Sequence, residues 1–311
     1  MKKFFSMVLA FLIIILSSFV IVGCNKVSTE DDVDNGKIKI VSTIFPYYDF
    51  ARNIAGDKAD VKMLLSPGNE PHSYDPSPSD IVSIENCDIF IYNGGESDEW
   101  VDGVLESLQN SHIRILKMMD YVDVLNEQET DHTDSDEFDE HIWTSVRNAQ
   151  KMSKVISDTL KQVDSENVDY YSNNELIYNQ MLSNVDKQIM SVVENSSGNT
   201  VVFGDRFPFL YFVSDYGLNY ECAFPGCSSE TEPSISTVTR LIDFVREEKV
   251  PVVFYLEFSN GKTAGLIAED TGAETLEFSS CHNVTKEQFE NGVSYISLMQ
   301  QNAKNLEEAL S

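Results

Sequence analysis

Ile38-Lys39-Ile40-Val41-Ser42-Thr43 begins the folded part of this 311-residue chain and decides its class. The stretch is rich in β-branched residues, which suit a pleated strand. Pro46 interrupts it, and Tyr47–Ile54 then reads as a helix. Further on, Val61–Leu65 is a second short strand and Ile81–Asn86 a helix. Ile89–Tyr92 is a buried strand ending at Asn93-Gly94-Gly95, Trp100–Leu108 is a helix and Ile113–Leu116 a strand. Short apolar strands alternating with helices predict an α/β lobe, a parallel sheet with crossover helices.

The middle of the chain has a different period. Met152, Val155, Ile156, Leu160 and Val163 recur at helical spacing within Ala149–Val163. Asp164-Ser165 can cap a second helix that carries Leu182, Val185, Ile189 and Val192 on one face. The NSSGN stretch at 195–199 ends the helical region. Alternation then resumes, with strands at Val201–Phe203 and Val252–Leu256 and helices at Ile235–Glu247, Thr263–Thr271 and Tyr295–Leu310. The expected domains are an N-terminal lobe over 37–145, a helical linker over 146–198 and a C-terminal lobe over 199–311. No internal repeat stands out. Ligands of such proteins sit at strand carboxyl ends, where lobes meet.

Before the first strand, Lys2 and Lys3 precede an apolar run from Phe4 to Val22 that ends in Gly23-Cys24. Residues 1–23 have the order of a secretory signal, and their end resembles a lipobox, which implies lipid attachment at Cys24. The run is also long enough to span a bilayer as an uncleaved anchor, but a small residue beside a cysteine favours cleavage. Residues 24–36 are polar and acidic and read as a flexible tether. These features place the chain outside the cytoplasm, anchored to the membrane through Cys24. Four further cysteines remain, Cys87, Cys222, Cys227 and Cys281, and an even number outside the cytoplasm suggests pairing.

The formal net charge is −29, or −31 once Lys2 and Lys3 are removed. Nucleic acid is excluded as a partner, because phosphate binding needs a basic footprint. An acidic chain attracts cations, although acidity also serves solubility. Enzyme signatures are missing: there is no H-E-x-x-H, G-x-S-x-G, Walker loop or dinucleotide fingerprint.

Only five histidines occur. His72 lies in a Pro/Gly-rich loop, Ser66-Pro67-Gly68-Asn69-Glu70-Pro71-His72-Ser73-Tyr74-Asp75-Pro76-Ser77-Pro78, which can present an imidazole with little entropy to lose. His141 closes an acidic stretch and precedes Ile142-Trp143. That stretch, residues 127–140, holds eight carboxylates and His132, with no Lys or Arg. It reads as a solvated loop that can concentrate divalent ions weakly. His112 reads as a loop histidine without a role.

The order of segments resembles that of the zinc/manganese solute-binding lipoproteins of ABC importers, the cluster A-I type. Val41-Ser42-Thr43-Ile44-Phe45-Pro46-Tyr47-Tyr48-Asp49-Phe50 begins the match, and the Pro71-His72-Ser73-Tyr74-Asp75-Pro76-Ser77-Pro78-Ser79-Asp80 loop follows. Asp139-Glu140-His141-Ile142-Trp143, Asp215-Tyr216-Gly217-Leu218, Glu232-Pro233-Ser234 and Asp270-Thr271-Gly272-Ala273 continue it. The resemblance implies two Rossmann-like lobes joined by a long rigid helix, with the metal in the cleft between them. It implies that His72 and His141 are ligands, since the family's first two ligands are the histidine of this loop and the histidine before an Ile/Val-Trp pair.

In the second lobe the chain departs from the family pattern. The third family ligand is a histidine or glutamate at a strand end, and here Gly204-Asp205-Arg206 stands in that place. Asp205 is the nearest donor, and it can alternatively pair with a cation or cap the following turn. In place of the family's final aspartate the chain has Ser279-Ser280-Cys281-His282, where His282 or Cys281 can compensate. The expected ligand set is therefore His72, His141, Asp205 and His282. Zinc is the expected ion and manganese the alternative, because imidazole favours zinc and oxygen donors favour manganese. The expected function is extracytoplasmic capture of that ion by a monomer and its delivery to an ABC permease, without turnover. A secreted metallohydrolase using Glu70 or Glu257 as base is the alternative from another class.

Overall fold

A computed structural model describes residues 36–110, 112–127, 138–226 and 233–311. The signal sequence, Cys24, most of the tether, His132 with most of the acidic loop, and Cys227 lie outside the described residues.

The opening hexapeptide supplies β1 (Ile38–Ser42), an inner strand of a four-stranded parallel sheet. With β2 (Ala59–Met63), β3 (Ile89–Tyr92) and β4 (Arg114–Lys117) it gives the order β2-β1-β3-β4. Ile40 pairs with Val61 on one side and Ile89 on the other, so both hydrogen-bonding edges of β1 are paired. Pro46 does not break the chain here. It occupies the first turn of α1 (Phe45–Ala55), where its missing N–H leaves nothing unsatisfied. The crossovers carry α2 (Pro78–Glu85) and α3 (Glu99–Ser107). Ser77 and Asp80 form a reciprocal capping box at the start of α2, a feature worth about 1 kcal/mol.

The helical middle is two helices, α4 (Val146–Val163) and α5 (Val168–Asn195), packed on one another. Asp164 accepts from Asn167 Nδ2 at 2.7 Å and from Tyr171 Oη at 2.7 Å, which holds the turn between them. At 28 residues, α5 is about 42 Å long. Its Tyr178 hydroxyl donates to buried Asp49 of α1 at 2.9 Å, and Asp49 also accepts the amide of Tyr295 at 3.0 Å.

The second sheet repeats the first. Its strands are β5 (Thr200–Phe207), β6 (Asn219–Pro225), β7 (Val252–Tyr255) and β8 (Glu274–Glu277), parallel and in the order β6-β5-β7-β8. The two lobes thus share one topology although no sequence repeat is visible, because the shared feature is strand order and not side-chain identity. The helices of this half are α6 (Leu210–Tyr216), α7 (Ile235–Glu248), α8 (Lys262–Thr271), α9 (Lys286–Glu290) and α10 (Tyr295–Ala309). Gly204 lies against Ala264 of α8, and a Cβ there would stand 2.5 Å from the Ala264 backbone, so the sheet and helix meet only because residue 204 has no side chain.

Candidate metal centre

Three loops that leave strand carboxyl ends bring His72, His141 and His282 together. The coordinating atoms of these residues all lie within 4.8 Å of one another, the one such group among the described residues. Ring centroids are 5.2 Å apart for His72 and His282, and 6.1 Å for each of them with His141.

His72 rides on the single turn Pro71–Ser73 after β2, closed by the Tyr74 amide donating to the Pro71 carbonyl at 3.1 Å. Its side chain keeps 26 % of its surface exposed, whereas those of His141 and His282 are buried. His72 Nδ1 lies 3.3 Å from Ser97 Oγ and 3.8 Å from Glu140 Oε1, and Glu140 in turn accepts from the Ser97 hydroxyl and from its amide. His141 precedes the turn Ile142–Thr144, and Ser145 then caps α4 by accepting the Asn148 amide at 2.9 Å. Asp139 Oδ1 lies 3.1 Å from His141 Nδ1 and accepts the His141 amide at 2.8 Å. His282 follows β8 and packs against the Trp143 ring at 4.5 Å between centroids. The Trp143 indole donates to the Ser280 carbonyl at 2.9 Å, so the segment that carries His141 and the loop that carries His282 are joined.

The His282 loop is held from beneath by Glu257, whose carboxylate accepts the Ser280 amide at 2.7 Å and the Ser280 hydroxyl at 2.5 Å. Burial pushes the Glu257 carboxyl up to about 7, against those two hydrogen bonds. Burial also holds the His282 imidazole well below its ordinary range, helped by the neighbouring His72 and His141. His72 is lowered by burial first and by His141 next, with Glu140 opposing. Burial and the neighbouring imidazoles thus disfavour the charged forms of His72 and His282, and neutral imidazole is the form in which a ring nitrogen can coordinate a metal.

The expected ligand Asp205 is not part of this group, and the reason lies in β5. The strand does not stop at Phe203 but continues to Phe207, with its register shifted between Phe203 and Arg206. Such an irregularity re-aims side chains. The Asp205 carboxylate accepts the Arg206 amide at 2.9 Å and the Leu256 amide at 3.3 Å, tying β5 to the end of β7. The next residue, Arg206, lines the cavity of about 30 Å³ beside the histidines and pairs with Glu70 at 3.3 Å. Cys281 is buried and faces Ser279, and Cys87, Cys222 and Cys281 are free thiols among the described residues, so the expected pairing is not found there. Asp139 and Glu140, read from sequence as part of a solvated loop, are buried partners of the cluster. Their position next to His141 was the available signal.

A family model described as zinc-uptake complex component A, periplasmic, matches residues 40–309. The high-affinity zinc uptake system protein ZnuA of Bacillus subtilis (strain 168) is 29% identical over 310 residues, 96% of this chain and 97% of the relative. The zinc-binding lipoprotein AdcA of Streptococcus pneumoniae (strain ATCC BAA-255 / R6) is 28% identical over 301 residues, 94% of this chain but 59% of AdcA. Among solved structures, the Zn(II)-bound ZnuA-like domain of Streptococcus pneumoniae AdcA superposes with a TM-score of 0.76 at 28% identity, covering 88% of this chain and 99% of that domain.

Proposed function

Because this chain belongs to the family of zinc-uptake complex component A, we propose that it captures a zinc ion at His72, His141 and His282 and delivers it to an ABC permease. The observation that carries the reading is the convergence of three imidazoles, two of them buried, in a group that includes no carboxylate of the described residues. Neutral imidazole suits zinc, at Zn–N distances of about 2.0–2.1 Å, and suits manganese less. The Asp139 carboxylate against His141 Nδ1 favours Nε2 as the coordinating nitrogen, the usual arrangement of a carboxylate behind a metal-bound histidine. Three protein ligands leave one of four zinc positions for solvent or a carboxylate from the cavity wall.

Zinc is cargo in this account, and the chain carries it without turnover. Lipid attachment at Cys24 would confine the carrier to the membrane surface where the permease lies, with residues 24–36 as the tether. Calorimetric titration of the chelator-treated protein tests the proposal. One zinc per chain should bind in the wild type, and His72→Ala and His141→Ala should each weaken it by at least a hundredfold while the fold is kept. Unchanged affinity in both variants would refute the site.

A further inference from the structure

The loop that carries His72 belongs to the first lobe by sequence, yet it is bolted to the second. Asn283, the residue after His282, is 1 % exposed. Its Nδ2 donates to the carbonyls of Ser66 and Asn69, each at 2.9 Å, and so uses both donors of the amide. Its Oδ1 accepts the Val284 amide at 2.8 Å. The Gly68 amide donates to the Val284 carbonyl at 2.8 Å, and Gly68 turns the chain there at a φ of +88°. The Arg206–Glu70 pair joins the same loop to β5, but both side chains are partly exposed and the pair adds little.

We propose that Asn283 is a positioning residue for His72: it fixes the 66–73 loop on the His282 loop, so that two of the three ligands are held as one unit before the ion arrives. The proposal rests on the zinc-binding reading above. His72 is the one partly exposed ligand; its ring meets Ser97 Oγ at 3.3 Å, and the backbone of its short turn is positioned by the way the 66–73 loop is fixed. A preorganised ligand loses less conformational freedom when the ion binds. Removing the two donated bonds frees the loop to sample positions in which His72 is away from the site, and only the fraction that remains closed binds with full strength.

A double-mutant cycle tests this. Zinc affinity is measured by calorimetry in the wild type, Asn283→Ala, His72→Ala and the double variant, with circular dichroism to verify each fold. The expected result is roughly a tenfold loss for Asn283→Ala in the wild-type background and less than twofold in the His72→Ala background, together with faster amide exchange over residues 66–73. No loss in the wild-type background, or an equal loss in both, overturns the proposal, since a merely structural role would act without His72. Should Asn283→Ala fail to fold, Asn283→Asp keeps the Oδ1 acceptor but not the donors, and the same outcomes decide. A wild type that takes up no zinc overturns the functional reading instead, a result distinct from both.

Discussion

Asp139 Oδ1 sits 3.1 Å from Nδ1 of His141, and the same oxygen accepts the His141 backbone amide at 2.8 Å. One buried carboxylate oxygen therefore holds both the backbone turn and the ring orientation of a proposed ligand. Such partners raise ligand basicity, and their loss lowers metal affinity by about 10–100-fold in comparable sites. Asp139→Asn should keep the shape but remove the charge. The expected outcome is about a tenfold weaker zinc complex with a nearly unchanged apo melting temperature, read by competition with a chelator and by thermal denaturation. A lower melting temperature with intact affinity would assign Asp139 to structure alone.

Asp205 should behave in the opposite way. Its carboxylate satisfies the Arg206 and Leu256 amides at 9 % exposure. Asp205→Ala leaves two amide donors without that partner, and each buried unsatisfied group costs about 1–3 kcal/mol. The apo protein should melt several degrees lower, and zinc affinity should fall only in proportion. A hundredfold loss of affinity at constant apo stability would restore Asp205 as a ligand.

A pH effect on stability follows from Asp98. Burial pushes its carboxyl up to about 7, although it accepts the Asn93 and Gly94 amides. The group has a higher pKa in the folded state than in the unfolded chain, where it is about 3.9. Between about pH 4 and pH 7 the unfolded state ionises first and the folded state stays protonated. Stability from this group therefore falls as pH rises through that window and levels off above it. Urea unfolding of the apo protein should show Asp98→Asn flattening the slope, with a difference on the order of 3 kcal/mol between pH 4.5 and pH 7.5. Identical pH profiles for the variant and the wild type would show that Asp98 is ionised in the fold.

The parts of this molecule that were legible in the sequence have a local physical signature. β1 is rich in β-branched residues, β3 is a buried apolar run of strand length, and His72 lies in a stiff loop bounded by prolines. β8 carried no such signal: Glu274-Thr275-Leu276-Glu277 is an exposed edge strand and has no apolar run. α6, Leu210–Tyr216, is short, and its buried residues Tyr211, Phe212, Val213 and Tyr216 span too few turns to display a helical period. The extent of β5 was hidden because Gly204-Asp205-Arg206 are poor strand formers held in place by the neighbouring strands. That tertiary effect also turns the Asp205 carboxylate to the Arg206 and Leu256 amides, outside the histidine group. The convergence of His282 with His72 across 210 residues of sequence is a property of the shared loop seam around Asn283, which no local pattern displays.

X-ray absorption on the zinc-loaded protein tests the central claim most directly, because it counts and identifies the donor atoms. The account predicts three imidazole nitrogens at about 2.0–2.1 Å, completed by one oxygen. His282→Ala should reduce the imidazole count to two. A first shell that contains sulfur, which would bring in Cys281, or one dominated by oxygen with fewer than two imidazoles, would contradict it.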